Sequence, residues 1–348
     1  MIRRIGKLLG RVLLAVGVLV ALLLSPVAYN ELACRPEGAA QPYTALLPEA
    51  DHRPEARTYL TYPEWHIVHA YDDYSEVVRT GDPHQFGFAK ATLGFWSSLC
   101  DLSRVSAAYG GFPWETKQMV YVIGISFSAE MLAKAAYEET LGRLFVTLRG
   151  AEPADLDTLS AGQARDYAEF LQQTPWYKWD FRADADALRA AATPALRDRE
   201  RRVALGIEYR VKAAYAQAIA AAVSSVGPDA LRLRLVAKDL PETLPEGVAV
   251  IKALPEGTII ETPRYRALTH ILIDLAVSGT NFVEIAGNDD IMLTVIANQA
   301  EIANAQSTMA RQGYGDFRHI VGLRVPDLAQ RLRDYEKQGL KVEHIHDY

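Results

Sequence analysis

Ala220-Ala-Ala-Val-Ser-Ser-Val-Gly-Pro-Asp-Ala-Leu-Arg-Leu-Arg-Leu-Val-Ala237 is where the chain changes character. Upstream, Ala195 to Val226 is rich in alanine, the strongest intrinsic helix former. Gly227-Pro228 stops that helix. Downstream come short apolar runs with turn residues between them, which predict strands at Leu231–Ala237, Val248–Leu254, Phe282–Ala286, Ile291–Ile296 and Leu340–Ile345. Helical spacing returns only near Arg264–Val277 and Asp327–Gln338. Strands mixed with a few helices over residues 227–348 predict a small α/β sandwich, with a ferredoxin-like arrangement as the specific expectation. No internal repeat is evident in the residues.

Residues 58–226 read as helical nearly throughout. Thr61 followed by Pro63 resembles an N-cap with proline in the first turn, opening a helix that runs to about Val78. Asp82-Pro83 repeats that signature for a helix to about Leu102. A longer helix opens near Pro113 and continues to Leu148, where Gly150 stops it. Further helices are expected over Ser160–Gln172 and Ala185–Ala192. The fold class that follows is α+β, a helical domain and then a smaller domain with sheet.

The N-terminus adds a third kind of segment. Arg3, Arg4, Lys7 and Arg11 precede an uncharged apolar run, Val12 to Tyr29, of the length that crosses a hydrocarbon core as a helix. Basic residues ahead of it favour a cytoplasmic N-terminus, so residues 1–32 read as a single-pass anchor in the inner (cytoplasmic) membrane. The bulk of the chain then lies on the extracytoplasmic, periplasmic side. Cleavage as a signal peptide is the alternative, but a site after Ala28 would carry Pro26 three residues upstream. Residues 33–57, with Pro36, Pro42, Pro48 and Pro54, read as an extended tether that stands the body off the membrane.

Of the 348 residues 49% are hydrophobic and 23% charged, enough apolar material for a real core. The net charge of −6 offers no basic surface to nucleic acid, and the Arg-rich stretch Arg197–Arg202 is interrupted by Asp198 and Glu200. The two cysteines, Cys34 and Cys100, read as unrelated thiols, with pairing in an oxidising compartment as the alternative.

Chemistry-bearing side chains are densest in Tyr62-Pro-Glu-Trp-His-Ile-Val-His-Ala-Tyr-Asp-Asp-Tyr74. On a helix His66, His69 and Asp73 share one face, and His69 reaches Asp73 as an i,i+4 pair. Two imidazoles and a carboxylate so placed suit a divalent metal or acid–base catalysis, against the plainer reading of solvated histidines. Glu130, at the end of the apolar run Met119–Ala129, is the further catalytic candidate, against a simple salt bridge to Lys134 one turn on. Continued from Met119 to Tyr137 the run has the length of a second span, but Glu130, Lys134 and four hydroxyl-bearing residues make insertion expensive. Four aromatics in Pro175-Trp-Tyr-Lys-Trp-Asp-Phe181 suit either a membrane or apolar-ligand contact, or a plug between helices. His344 and His346 share one face of the last strand and read as a solvated end.

The sequence carries no P-loop, dinucleotide fingerprint, HExxH or EF-hand pattern. The expected function is therefore a membrane-anchored envelope protein that binds a ligand or assembles with another envelope component. The alternatives are an envelope enzyme using His66, His69, Asp73 and Glu130, with a metal on the first three, and lipid or apolar-ligand handling near the membrane.

Overall fold

The computed structural model describes residues 2–36, 43–54, 56–109, 114–223 and 231–347. Its first element is α1 (Ile2–Ala33), in which Gly10–Ala33 is long and apolar enough to cross a membrane and, apart from its last turn, is not covered by the rest of the molecule. The helical region comprises α2 (Ala56–Thr80), α3 (Phe88–Val105), α4 (Trp114–Tyr137), α5 (Arg143–Arg149), α6 (Asp155–Leu171), α7 (Phe181–Ala191) and α8 (Leu196–Val223). Mixed helix and sheet is thus the architecture, as the residue pattern implies.

Two details of the helical reading are corrected. The first helix of the body begins at Ala56, so Thr61 is not its cap and Pro63 lies inside it. Asp82-Pro83 opens only a short 3-10 turn, closed by a capping box with Gln85, and α3 starts afresh after Gly87. The long third helix is continuous through a π turn at Glu138–Gly142, and Gly150 ends it with a positive φ.

Cys34 and Cys100 form a disulfide, which overturns their reading as separate thiols. The bond is flanked by polar contacts that fix the end of α1 against the body. The Tyr121 hydroxyl donates to Glu31 (2.5 Å) and lies 3.1 Å from the Asn30 side-chain oxygen, and Lys117 pairs with Glu31 at 3.0 Å. Beyond it, residues 43–54 do not stand off as a free tether. They form a strap on the sheet domain, where Leu47 is buried and the Leu46 and Leu47 amides donate to the Glu284 carboxylate at 2.5 and 2.9 Å.

The C-terminal region is built twice from one plan. β1 (Arg232–Lys238), β2 (Ala249–Leu254), β3 (Gly257–Pro263), α9 (Arg266–Val277) and β4 (Asn281–Ile285) form an antiparallel sheet in the order β2-β3-β1-β4. β5 (Asp290–Ala297), β6 (Ala305–Ala310), β7 (Phe317–Arg324), α10 (Val325–Gln338) and β8 (Lys341–His346) repeat it as β6-β7-β5-β8. The registers coincide. Leu235 sits between Ile260 and Ile285 as Leu293 sits between Val321 and Ile345, and a bulge follows at Val236/Ala237 and again at Thr294/Val295. Two four-stranded sheets, each with one helix, replace the single ferredoxin-like sheet expected.

The two units share one core, in which Leu235, Ile260, Leu272, Leu293, Val321 and Leu328 are buried together. The opposite face of each sheet is covered differently. Val236 and Ile259 of the first lie under Leu47 of the strap, and Met292 and Ile320 of the second lie under Tyr59 and Tyr62 of α2. α2 thereby belongs to both regions, with one side in the helical core and the other on a sheet.

Candidate functional site

The bulge in β8 decides what α2 meets. Thr294 pairs with His344 and Val295 with Val342, so Glu343 is the extra residue of the bulge. A bulge re-aims side chains locally. Here Glu343, His344 and His346 all engage the buried side of α2.

His69 Nε2 lies 3.4 Å from Glu343, whose carboxylate also takes two hydrogen bonds from Arg318 of β7, at 2.5 and 2.7 Å. His344 stacks on Trp65 with ring centres 3.6 Å apart, and His346 lies edge-on to both His344 and Tyr62. Asp73 accepts the Gln312 amide at 2.9 Å and faces Arg311 and Arg318, each at 3.8 Å. Asp72 closes the rim, taking Arg311 and the Tyr314 hydroxyl at 3.0 Å each. The carboxylates and guanidinia are therefore largely spent on one another.

The imidazoles are not. His69 Nδ1, His344 Nε2 and both nitrogens of His346 are buried without a hydrogen-bond partner. Beside them is a cleft of about 20 Å³ between Trp65, His69, Asp72, Glu343 and His344, room for roughly one water. Burial favours the neutral form of each ring, pushing His346 down to about 3 and His69 and His344 well below the ordinary histidine value. Burial likewise raises the Asp73 carboxyl to about 7, with Arg318 pulling the other way. At Glu343 burial pushes up, but Arg318 outweighs it and keeps the carboxylate ionised.

The three residues that share a face in sequence are parted by their neighbours. His66 turns toward α3, where its Nε2 contacts the Ala91 carbonyl at 2.8 Å and its ring packs between Phe95 and Phe127. His69 turns to Glu343 rather than to Asp73. Among the described residues no group of three histidine, cysteine or carboxylate side chains is arranged to hold a metal ion.

Glu130 is remote from all of these, inside the helical region. It accepts the Tyr71 hydroxyl at 2.5 Å and pairs with Lys212 at 2.7 Å, while Lys134 pairs with Glu208 at 2.9 Å instead. The expected Glu130–Lys134 bridge is replaced because α8 brings Lys212 and Glu208 alongside α4. The same helix explains the Arg-rich stretch, since Arg197 and Arg201 are buried in ion pairs with Asp157, Glu200 and Glu138.

His344 and His346, read as a solvated end, are buried at 2% and 0% exposure. Arg311, Arg318 and Glu343 escaped the sequence reading altogether; a charged residue in an otherwise apolar strand, as in Phe317-Arg-His-Ile-Val321, is the signal that marks Arg318. The aromatic cluster is a plug between helices. Phe181 is buried, Trp179 donates to Asp184 at 2.7 Å, and Trp176 packs on Tyr215. No known family model, characterised protein or solved structure matches the chain.

Proposed function

We propose that the protein is a membrane-anchored binding or assembly module working on the extracytoplasmic side. One contrast carries the reading. His69, Asp72, Glu343 and His344 are closed around a cleft the size of a water, while large apolar side chains stand exposed along α4 and α8. Extended exposed apolar surface marks an interaction site more often than not. The uncovered apolar stretch of α1 supports anchoring, and the Cys34–Cys100 disulfide supports an oxidising compartment.

The test is a photo-crosslinking amino acid at Val211 or Leu132 of the full chain in native membranes. A discrete adduct from these positions, and none from the exposed Arg182 on α7, is the expected result. Absence of any adduct from either position refutes the reading.

A second reading, an acid–base or metal-assisted enzyme, is favoured by the unpartnered nitrogens of His69, His344 and His346 beside the cleft. Elemental analysis of untagged protein separates the two. About one equivalent of metal, lost in a His69→Ala, His344→Ala variant, would establish that centre and displace the module reading.

A further inference from the structure

We propose that the exposed flank formed by α4 and α8 is a homodimer interface, occupied by a second copy of this chain in the same membrane; this deepens the binding-module reading and rests on it. The two helices lie side by side and antiparallel. Glu138 is bonded to Arg201, Lys134 to Glu208 and Glu130 to Lys212, so ascending residues of one helix meet descending residues of the other.

Away from that seam, Val203, Ile207 and Val211 repeat at i, i+4 and i+8 on α8, and Met119, Val122 and Leu132 stand out on α4. Their exposures run from 46% at Leu132 to 63% at Val211. Ala129, Ala133 and Ala136 on α4 and Ala214 and Ala218 on α8 are exposed between them. The six larger side chains expose on the order of 600 Å², and the alanines bring the flank to the roughly 800 Å² that each partner gives to a stable interface. Small residues among branched ones also suit close helix–helix approach.

Twofold symmetry fits the placement of the anchor. An axis parallel to the helices sets α4 of one copy against α8 of the other at the same level. The end of α1 is fixed to the start of α4 through Glu31 and Lys117, so both anchors leave the dimer at the same end, as one membrane requires. Anchoring also concentrates the copies in two dimensions, which favours association through a modest interface.

The experiment is co-expression of two differently tagged full-length chains, each with the photo-crosslinker at Val211, in native membranes. A product of twice the chain mass carrying both tags is expected. It should fall by roughly tenfold or more in an Ile207→Glu, Val203→Glu background whose helical content and disulfide are unchanged. A product of another mass with one tag overturns the homodimer and leaves the module reading standing. No product at all overturns both, and a two-tag product insensitive to the glutamates places the interface elsewhere and overturns the flank.

Discussion

Replacing Cys34 and Cys100 with serine removes the covalent closure of a loop spanning 66 positions, which holds the strap and all of α2. Chain-entropy reasoning gives about 4 kcal/mol for a loop of that size. Both side chains are buried, so the serines add the cost of two hydroxyls in a packed junction. The contacts of Asn30, Glu31, Lys117 and Tyr121 remain and keep the end of α1 docked in the folded state. The loss therefore acts mainly on the unfolded chain. Thermal unfolding of the full-length protein in detergent, followed by circular dichroism, should show a midpoint lowered by roughly 10 °C. Reduced wild type should coincide with the double variant. A difference below about 1 kcal/mol, or two thiols titrated in denatured, unreduced protein, refutes the reasoning.

Acid should weaken the junction between α2 and β8. His69, His344 and His346 have depressed pKa values in the folded state, so their contribution is complete above the unfolded value of 6.5 and is lost as pH falls toward about 3 at His346. Asp73, raised to about 7, acts oppositely: its contribution is present below 3.8 and lost as pH rises through 7, one group against three. Urea midpoints should accordingly drop between pH 7.5 and 5, and a flat profile would contradict the buried-neutral assignment. Glu343→Gln leaves Arg318 buried without its carboxylate and should cost about 3–5 kcal/mol in the same assay. Glu284→Ala strands the Leu46 and Leu47 amides, a loss of about 1–3 kcal/mol, and hydrogen exchange should quicken selectively at 43–54. Unchanged exchange there would mean that the strap is held by other contacts.

Most of the helices, and the change from helix in α8 to strand in β1, were legible because both are local. Alanine content, apolar spacing and proline or glycine punctuation do not depend on distant partners. β3, β6 and β7 escaped because Gly257–Pro263, Ala305–Ala310 and Phe317–Arg324 mix polar and apolar residues, and pairing alone defines them. The duplication was hidden for a related reason. It resides in register and bulge position, whereas the matching side chains differ, as Glu284 and His344 do at equivalent places. At the site, His69 and Asp73 were found from their spacing, yet their partners lie on β7, β8 and the loop after β6. Helical spacing names a face but not what covers it, and so it grouped His66 with residues from which α3 separates it.

The strap and α2 are finished by residues made long after them. Leu47 waits for Glu284 across 237 positions, and Asp73 waits for Gln312 across 239. Until then the buried polar face of α2 has no ligands of its own and the strap has no sheet to lie on. Such non-local closure slows folding and exposes the early segments in the meantime. A protein tied together in this order cannot settle from its N-terminus forward during synthesis. Its first half must be kept from other surfaces until the second has arrived, and loss of chaperone capacity should therefore harm it more than a chain of equal length whose contacts are local.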